Sequence, residues 1–278
     1  MTVDRNAPDT SSVRKDYEAR YLVINGTNDP ITRVICIHAC YDISWTNEAS
    51  APALLPGEPS PVQTLRAAVL RQDLWHVSFI RNGSLYASMT TVRWDVPAGD
   101  ANDLCVIAIF ASRFYIIPPR KWNKAFSYDL PLWPQVSHEE VETISPDEVR
   151  CETSGEKKVC SVGINEEIKG SFVVINATNG PVTDVVVIHE CDGNKDVIDR
   201  STILKDGVSP LTSLTSATLH EDLWSVSFKT SDGQTKSRQG KRCDYQKRDS
   251  LQVCLIILYS EDFSIVDPVS DGCFFNHY

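Results

Sequence analysis

The stretch VINGTNDPITRVICIHAC, Val23 to Cys40, returns as VINATNGPVTDVVVIHEC, Val174 to Cys191. From Tyr21 to Tyr41, eleven of 21 positions are identical to those from Phe172 to Asp192. A second block follows: SPVQTLRAAVLRQDLWHVSF (Ser60–Phe79) matches SPLTSLTSATLHEDLWSVSF (Ser209–Phe228) at eleven of 20 positions. A weaker third block aligns LCVIAIFASRFYIIPP (Leu104–Pro119) with VCLIILYSEDFSIVDP (Val253–Pro268), and Arg93 and Asp95 match Arg242 and Asp244 between the blocks. Three blocks in one order at nearly one offset describe a duplicated domain. A catalytic site needs such a motif once, whereas a fold repeated in tandem needs it twice.

Each copy reads as β. DLWSVSF alternates, with Trp224, Val226 and Phe228 on one face and Leu223, Ser225 and Ser227 on the other. TDVVVIHEC and LQVCLIILYS are β-branched and apolar, the pattern of strands buried on both faces. Turn signals such as GTNDP, LPGEPSP, ATNGP and SDG separate the runs, and no segment carries a capped helical period. The expectation is all-β: two tandem, homologous antiparallel sandwiches of about seven strands each. A single barrel shared by both copies is the competing architecture. The boundaries read as a polar tail over 1–19, a first sandwich over 20–129, an acidic linker over 130–169 and a second sandwich over 170–278.

In a strand, Cys36, His38 and Cys40 share a face, an arrangement that resembles a metal site. Residues i and i+4 on one strand lie about 13 Å apart, too far to reach one zinc ion. The second copy has Val187 in place of Cys36. The structural reading puts His38 and His189 at the edge of a core, each bonded to a nearby turn. The N-x-T-N-x-P segment supplies such a turn, its Asn and Thr bonding local backbone, so the motif builds the same hairpin twice. Trp75 and Trp224 of the paired DLW read as core.

Composition narrows function. Apolar residues make up 42% of the 278, no run approaches a membrane span, and the N-terminal segment reads as a polar tail without a secretory leader. Net charge is −10 and no basic face points to nucleic acid; the group Lys236–Arg248 reads as a solvated hairpin between strands. Nine cysteines, an odd number without C-x-x-C pairs, read as free thiols in a reducing, cytoplasmic setting. Sequons occur at Asn25, Asn82 and Asn176.

Motifs for P-loops, nucleophile elbows, zinc proteases and dinucleotide sites are absent, so an enzyme here is expected to work without a cofactor or metal. Differences between the copies mark where one has specialised. The first copy or linker gains Trp45, Tyr86, Trp94, Tyr115, Lys121, Trp122 and Trp133. Aromatic walls with few polar groups suit a bulky apolar small molecule. The competing reading has these residues pack the sandwiches and linker together. On the first reading Trp45, Tyr86, Trp94, Trp122 and Trp133 line the substrate site, and Arg93, Lys121 and Tyr115 are donors to a reacting carbonyl.

The VIN-x-TN-x-P openings, DLW-x-VSF strands and F-x-I-x-x-P endings resemble fungal β-sandwich proteins similar to the domain family first described as up-regulated in long-lived nematodes. They also resemble the hetero-Diels–Alderases of fungal tropolonic sesquiterpenoid biosynthesis. The resemblance covers nearly the whole chain but rests on fold motifs and transfers no catalytic residue. It implies a pericyclase that joins a quinone-methide-like diene to a terpene alkene by holding both in a near-attack pose. A lectin-like carbohydrate- or lipid-binding module and a scaffold without catalysis are the alternatives.

Overall fold

The computed structural model describes residues 16–40, 46–68, 73–88, 92–93, 104–111, 113–117, 126–129, 132–133, 151–154, 157–160, 167–217, 221–245 and 252–266. These form strands, numbered in chain order. In the first half, β1 (Asp16–Asn25), β4 (Gln63–Ala68), β8 (Leu104–Ile109), β9 (Arg113–Ile117) and β10 (Phe126–Asp129) build a sheet in the order β10-β9-β8-β1-β4. The facing sheet runs β11-β6-β5-β2-β3, from β2 (Ile31–Cys40), β3 (Thr46–Leu54), β5 (Asp73–Arg81), β6 (Ser84–Ala87) and β11 (Leu132–Trp133); β7 (Val92–Arg93) also pairs with β5. A separate hairpin joins β12 (Cys151–Ser154) to β13 (Lys157–Cys160). In the second half, β14 (Glu167–Asn176), β17 (Thr212–Ala217), β20 (Val253–Leu258) and β21 (Phe263–Val266) give the order β17-β14-β20-β21. β15 (Val182–Cys191), β16 (Asn194–Ile203), β18 (Leu223–Lys229) and β19 (Thr235–Arg242) give β16-β15-β18-β19.

The architecture is two β-sandwiches, and the purely antiparallel expectation is corrected in one respect. β1 runs parallel to β8, and β14 parallel to β20. Each pair is separated in the chain by an excursion through the facing sheet, which supplies the crossover that parallel neighbours require.

The repeated motif does not form a hairpin. β1 pairs with β4 and β8, whereas β2 pairs with β3 and β5, so the N-x-T-N-x-P turn carries the chain from one sheet to the other. Asn176, fully buried, holds this crossing in the second sandwich. Its Nδ2 donates to the carbonyls of Gly180 (2.9 Å), Ile203 (3.0 Å) and Leu204 (3.0 Å), and its Oδ1 accepts from Thr178 N (3.0 Å) and Oγ1 (2.7 Å). Asn25 does the same toward Asp29, Leu54 and Thr27. Side-chain bonding to local backbone was expected; the bond across to Leu54 or Ile203, about 28 residues on, pins the two sheets together.

Three cores follow from the layering. Tyr21, Val23, Trp75, Val77, Phe79 and Ile107 lie between the sheets of the first sandwich, and Phe172, Val174, Trp224, Val226, Phe228 and Ile256 between those of the second. The third core lies between the sandwiches, where Leu22, Ile24, Val106 and Tyr115 meet Val173, Ile175, Leu255 and Ile257. This explains why β8 and β20 are buried at every position. β15, expected to be buried on both faces, is corrected: it alternates, because its sheet is an outer layer. Cross-links back the middle core: Val253 N–H donates to Gly26 O (2.7 Å), Ala111 N–H to Gln252 Oε1 (3.2 Å), and Arg20 pairs with Asp206.

Two further expectations are corrected. Cys243 is disulfide-bonded, while Cys36, Cys105, Cys191 and Cys254 are buried thiols outside any disulfide. The basic group beginning at Lys236 is not a hairpin; through Arg242 it is the strand β19, the last of its sheet among the described residues. No described helix is long and apolar enough to cross a membrane.

Candidate functional site

The paired histidines and DLW segments meet. β2 lies beside β5 in a register that sets His38 opposite Trp75, and β15 lies beside β18 with His189 opposite Trp224. Both imidazoles are fully buried, not at a core edge, and both bond to the Asp of DLW rather than to the turn. His38 Nε2 lies 2.9 Å from Asp73 Oδ1, and His189 Nε2 lies 2.7 Å from Asp222 Oδ1. The rings sit 4.7 and 4.5 Å from Trp75 and Trp224.

In the second sandwich the pair becomes a hub. His189 Nδ1 faces Asp196 Oδ2 at 3.2 Å, so both ring nitrogens have carboxyl neighbours. Asp222 Oδ2 accepts from Ser216 Oγ (2.9 Å) and Tyr245 N–H (2.6 Å), and Asp196 Oδ2 accepts from Thr215 N–H (2.7 Å). The composition resembles that of a hydrolase site, but the wiring does not. Ser216 gives its proton to Asp222 and makes no bond to His189, so no base activates a nucleophile. Cys191 Sγ lies 3.8 Å from Ser216 Oγ, and burial followed by the Asp222 charge pushes its thiol up, away from the reactive thiolate. Burial does the same to Cys36. The hub ties β15, β16, β17, β18 and the Cys243–Tyr245 segment together.

The residues expected to line a substrate site separate into groups. Trp45, Trp94, Lys121 and Trp122 lie outside the described residues. Tyr115 is fully buried in the core between the sandwiches, on the sheet away from Tyr86. Three others lie on the side of β5 away from β2. Tyr86 on β6 is opposite Leu132 of β11, Trp133 is opposite Leu85, and Arg93 on β7 is opposite Leu74 of β5. The strand beside β5 is therefore in two pieces, β6 and β7, in the first sandwich, with β11 outside β6. In the second it is the single strand β19, where Arg242, opposite Leu223, is bound by Glu221 (2.5 Å) and Asp244 (2.8 Å).

Sequence reasoning missed Arg81. Its Nη2 donates to Tyr86 Oη at 3.1 Å and its guanidinium carbon lies 4.8 Å from the centre of the Tyr86 ring. That ring stacks on Phe79 at 5.1 Å, with 6° between the planes. The signal was available: Thr230 stands at the matching place in the other copy.

A polar cleft of about 250 Å³ opens in the second sandwich between β19 and the β20–β21 turn. Lys236 reaches Glu261 (3.7 Å) and Arg238 reaches Asp262 (3.7 Å) across it, over Phe228 and Phe263. Lys236 and Phe228 occupy the register of Tyr86 and Phe79.

No protein-family model matches this chain, and no characterised protein matches it in sequence.

Proposed function

We propose that the protein is a cofactor-free pericyclase built by duplication of one sandwich, the first copy having specialised for a bulky apolar substrate. The supporting observation is that β6, β7 and β11, which carry Tyr86, Arg93 and Trp133, all lie on the side of β5 away from β2 in the first sandwich. There Arg93 is the donor that draws electron density from a carbonyl-bearing diene, and the aromatic residues hold the alkene partner against it. The reaction is a hetero-Diels–Alder addition of a quinone-methide-like diene to a terpene alkene, in keeping with the resemblance of the fold motifs. The test is cycloaddition measured against the uncatalysed background. Arg93→Met lowers kcat at nearly constant KM, and Tyr86→Ala raises KM; an unaltered rate in both variants refutes the assignment.

A polar ligand in the second sandwich is the alternative that the cleft over Phe228 favours. It predicts thermal stabilisation by sugars rather than by apolar terpenoids, lost in the Glu261→Ala variant.

The proposed compartment is the cytoplasm. A glycan at Asn25 or Asn176 would replace one of the two amide protons that hold each sheet crossing, and both residues are fully buried. The Cys243 disulfide pulls the other way. The sequons weigh more, because their modification unmakes two turns whereas reduction leaves Cys243 inside a packed core. Glycan mapping of chain driven through a secretory route tests this: folded protein carrying glycans at Asn25 or Asn176 contradicts it.

A further inference from the structure

The geometry points to Arg81 as a recognition site for a planar oxyanion, a carboxylate or acidic enolate borne by a small aromatic molecule. Arg81 closes β5 beside β6, half-buried, and its cation is held by Tyr86 instead of by a carboxylate. Arg81 makes no ion pair among the described residues. One guanidinium N–H is spent on the Tyr86 hydroxyl, leaving others in the fork that fits two coplanar oxygens. The stack of Phe79, Tyr86 and guanidinium restrains the fork before any ligand arrives, so little side-chain entropy remains to be lost on binding. The chain's net charge of −10 repels anions at long range, so selectivity for one has to come from a local device of this kind. The second sandwich lacks it: Thr230 and Lys236 stand at the places of Arg81 and Tyr86. In the register of the first sandwich Arg81 pairs with Ser84, two residues from Tyr86.

The site rests on the divided strand proposed above as the substrate region, but its test needs no turnover. Benzoate serves as the probe and benzamide as its neutral match, titrated into the full chain by amide-detected NMR or calorimetry. Benzoate is expected to bind and benzamide not. Arg81→Gln weakens benzoate about tenfold or more, the loss of one charge-assisted hydrogen-bond pair. Tyr86→Phe, which keeps the stack and removes the hydroxyl, weakens it by a smaller factor, and Lys229→Gln, an exposed cation of the other sandwich, leaves it unchanged. Equal binding of the two probes, no binding of benzoate, or an unchanged dissociation constant in Arg81→Gln overturns the assignment. Failed cycloaddition with intact benzoate binding would refute the pericyclase reading alone.

Discussion

Replacing Asp222 by Asn tests the reading of the histidine hub as a structural ion pair. The exchange conserves shape and removes charge. Asp222 accepts from His189 Nε2 (2.7 Å), Ser216 Oγ (2.9 Å) and Tyr245 N–H (2.6 Å), and its side chain has no exposure to solvent. An amide offers one acceptor oxygen, so at least one of the three donors meets an NH2 group, and Asp196 is left as the one carboxyl group bonded to His189. Removing one member of a buried pair costs about 3–5 kcal/mol, which lowers the melting temperature of a chain this size by roughly 10 °C. Asp196, whose side chain is 20% exposed, is the internal comparison: Asp196→Asn costs about 1 kcal/mol, since water relieves the loss. Urea unfolding followed by far-UV circular dichroism gives both values, and Trp224 fluorescence reports the hub directly, its ring lying 4.5 Å from His189. Equal destabilisation by the two variants, or a cost below about 1 kcal/mol for Asp222→Asn, refutes the ion-pair hub. A variant of unchanged stability without activity would instead identify the hub as catalytic.

Asn176→Asp turns a donor to three carbonyls into an acceptor against them and costs about 3 kcal/mol at neutral pH. Its folded-state pKa is raised, so the lost stability returns as pH falls and the carboxyl protonates; unfolding midpoints from pH 7 to pH 4 check the sign. Gly57→Ala forces a non-glycine residue to φ 73° and sets its Cβ 2.9 Å from Val173 Cγ1 and 3.0 Å from Leu211 Cδ1, for about 2–3 kcal/mol. Gly83→Ala, at φ 78° in open space, costs about 1 kcal/mol, and the difference measures inter-sandwich packing. Tyr21→Phe is neutral or stabilising by thermal melt: the hydroxyl is enclosed without a well-formed hydrogen bond, and Phe172 packs edge-on against Trp224 just as Tyr21 does against Trp75. Cys36 and Cys191, buried with raised pKa values, stay unlabelled by a charged thiol reagent at pH 8 until urea is added.

Several features were legible because the rules that make them are local. Alternation along DLWSVSF placed Trp224, Val226 and Phe228 in a core. The Asn and Thr of N-x-T-N-x-P reach backbone two to four residues away, so that turn could be read from spacing alone. The candidate site was legible only in part. The gain of Tyr86 in the first copy was visible in the sequence, but the meaning of Arg81 lies in the hydrogen bond and ring contact that the β5–β6 register creates.

The sequence by itself determined that the chain is all-β, that its sandwich pattern occurs twice, and which residues turn or alternate, since each depends on neighbours within a few positions. Tertiary structure decided the rest. VTDVVVIHEC and VCLIIL are equally apolar as text, yet one strand keeps a face in solvent and the other has none, because only the second lies in a sheet that docks on the other sandwich. The partner of His189 is Asp222, 33 residues away, and that of Arg20 is Asp206, 186 residues away. Burial of a face and pairing of a charge are set by what the folded chain brings against them, and strand periodicity holds no record of that neighbour.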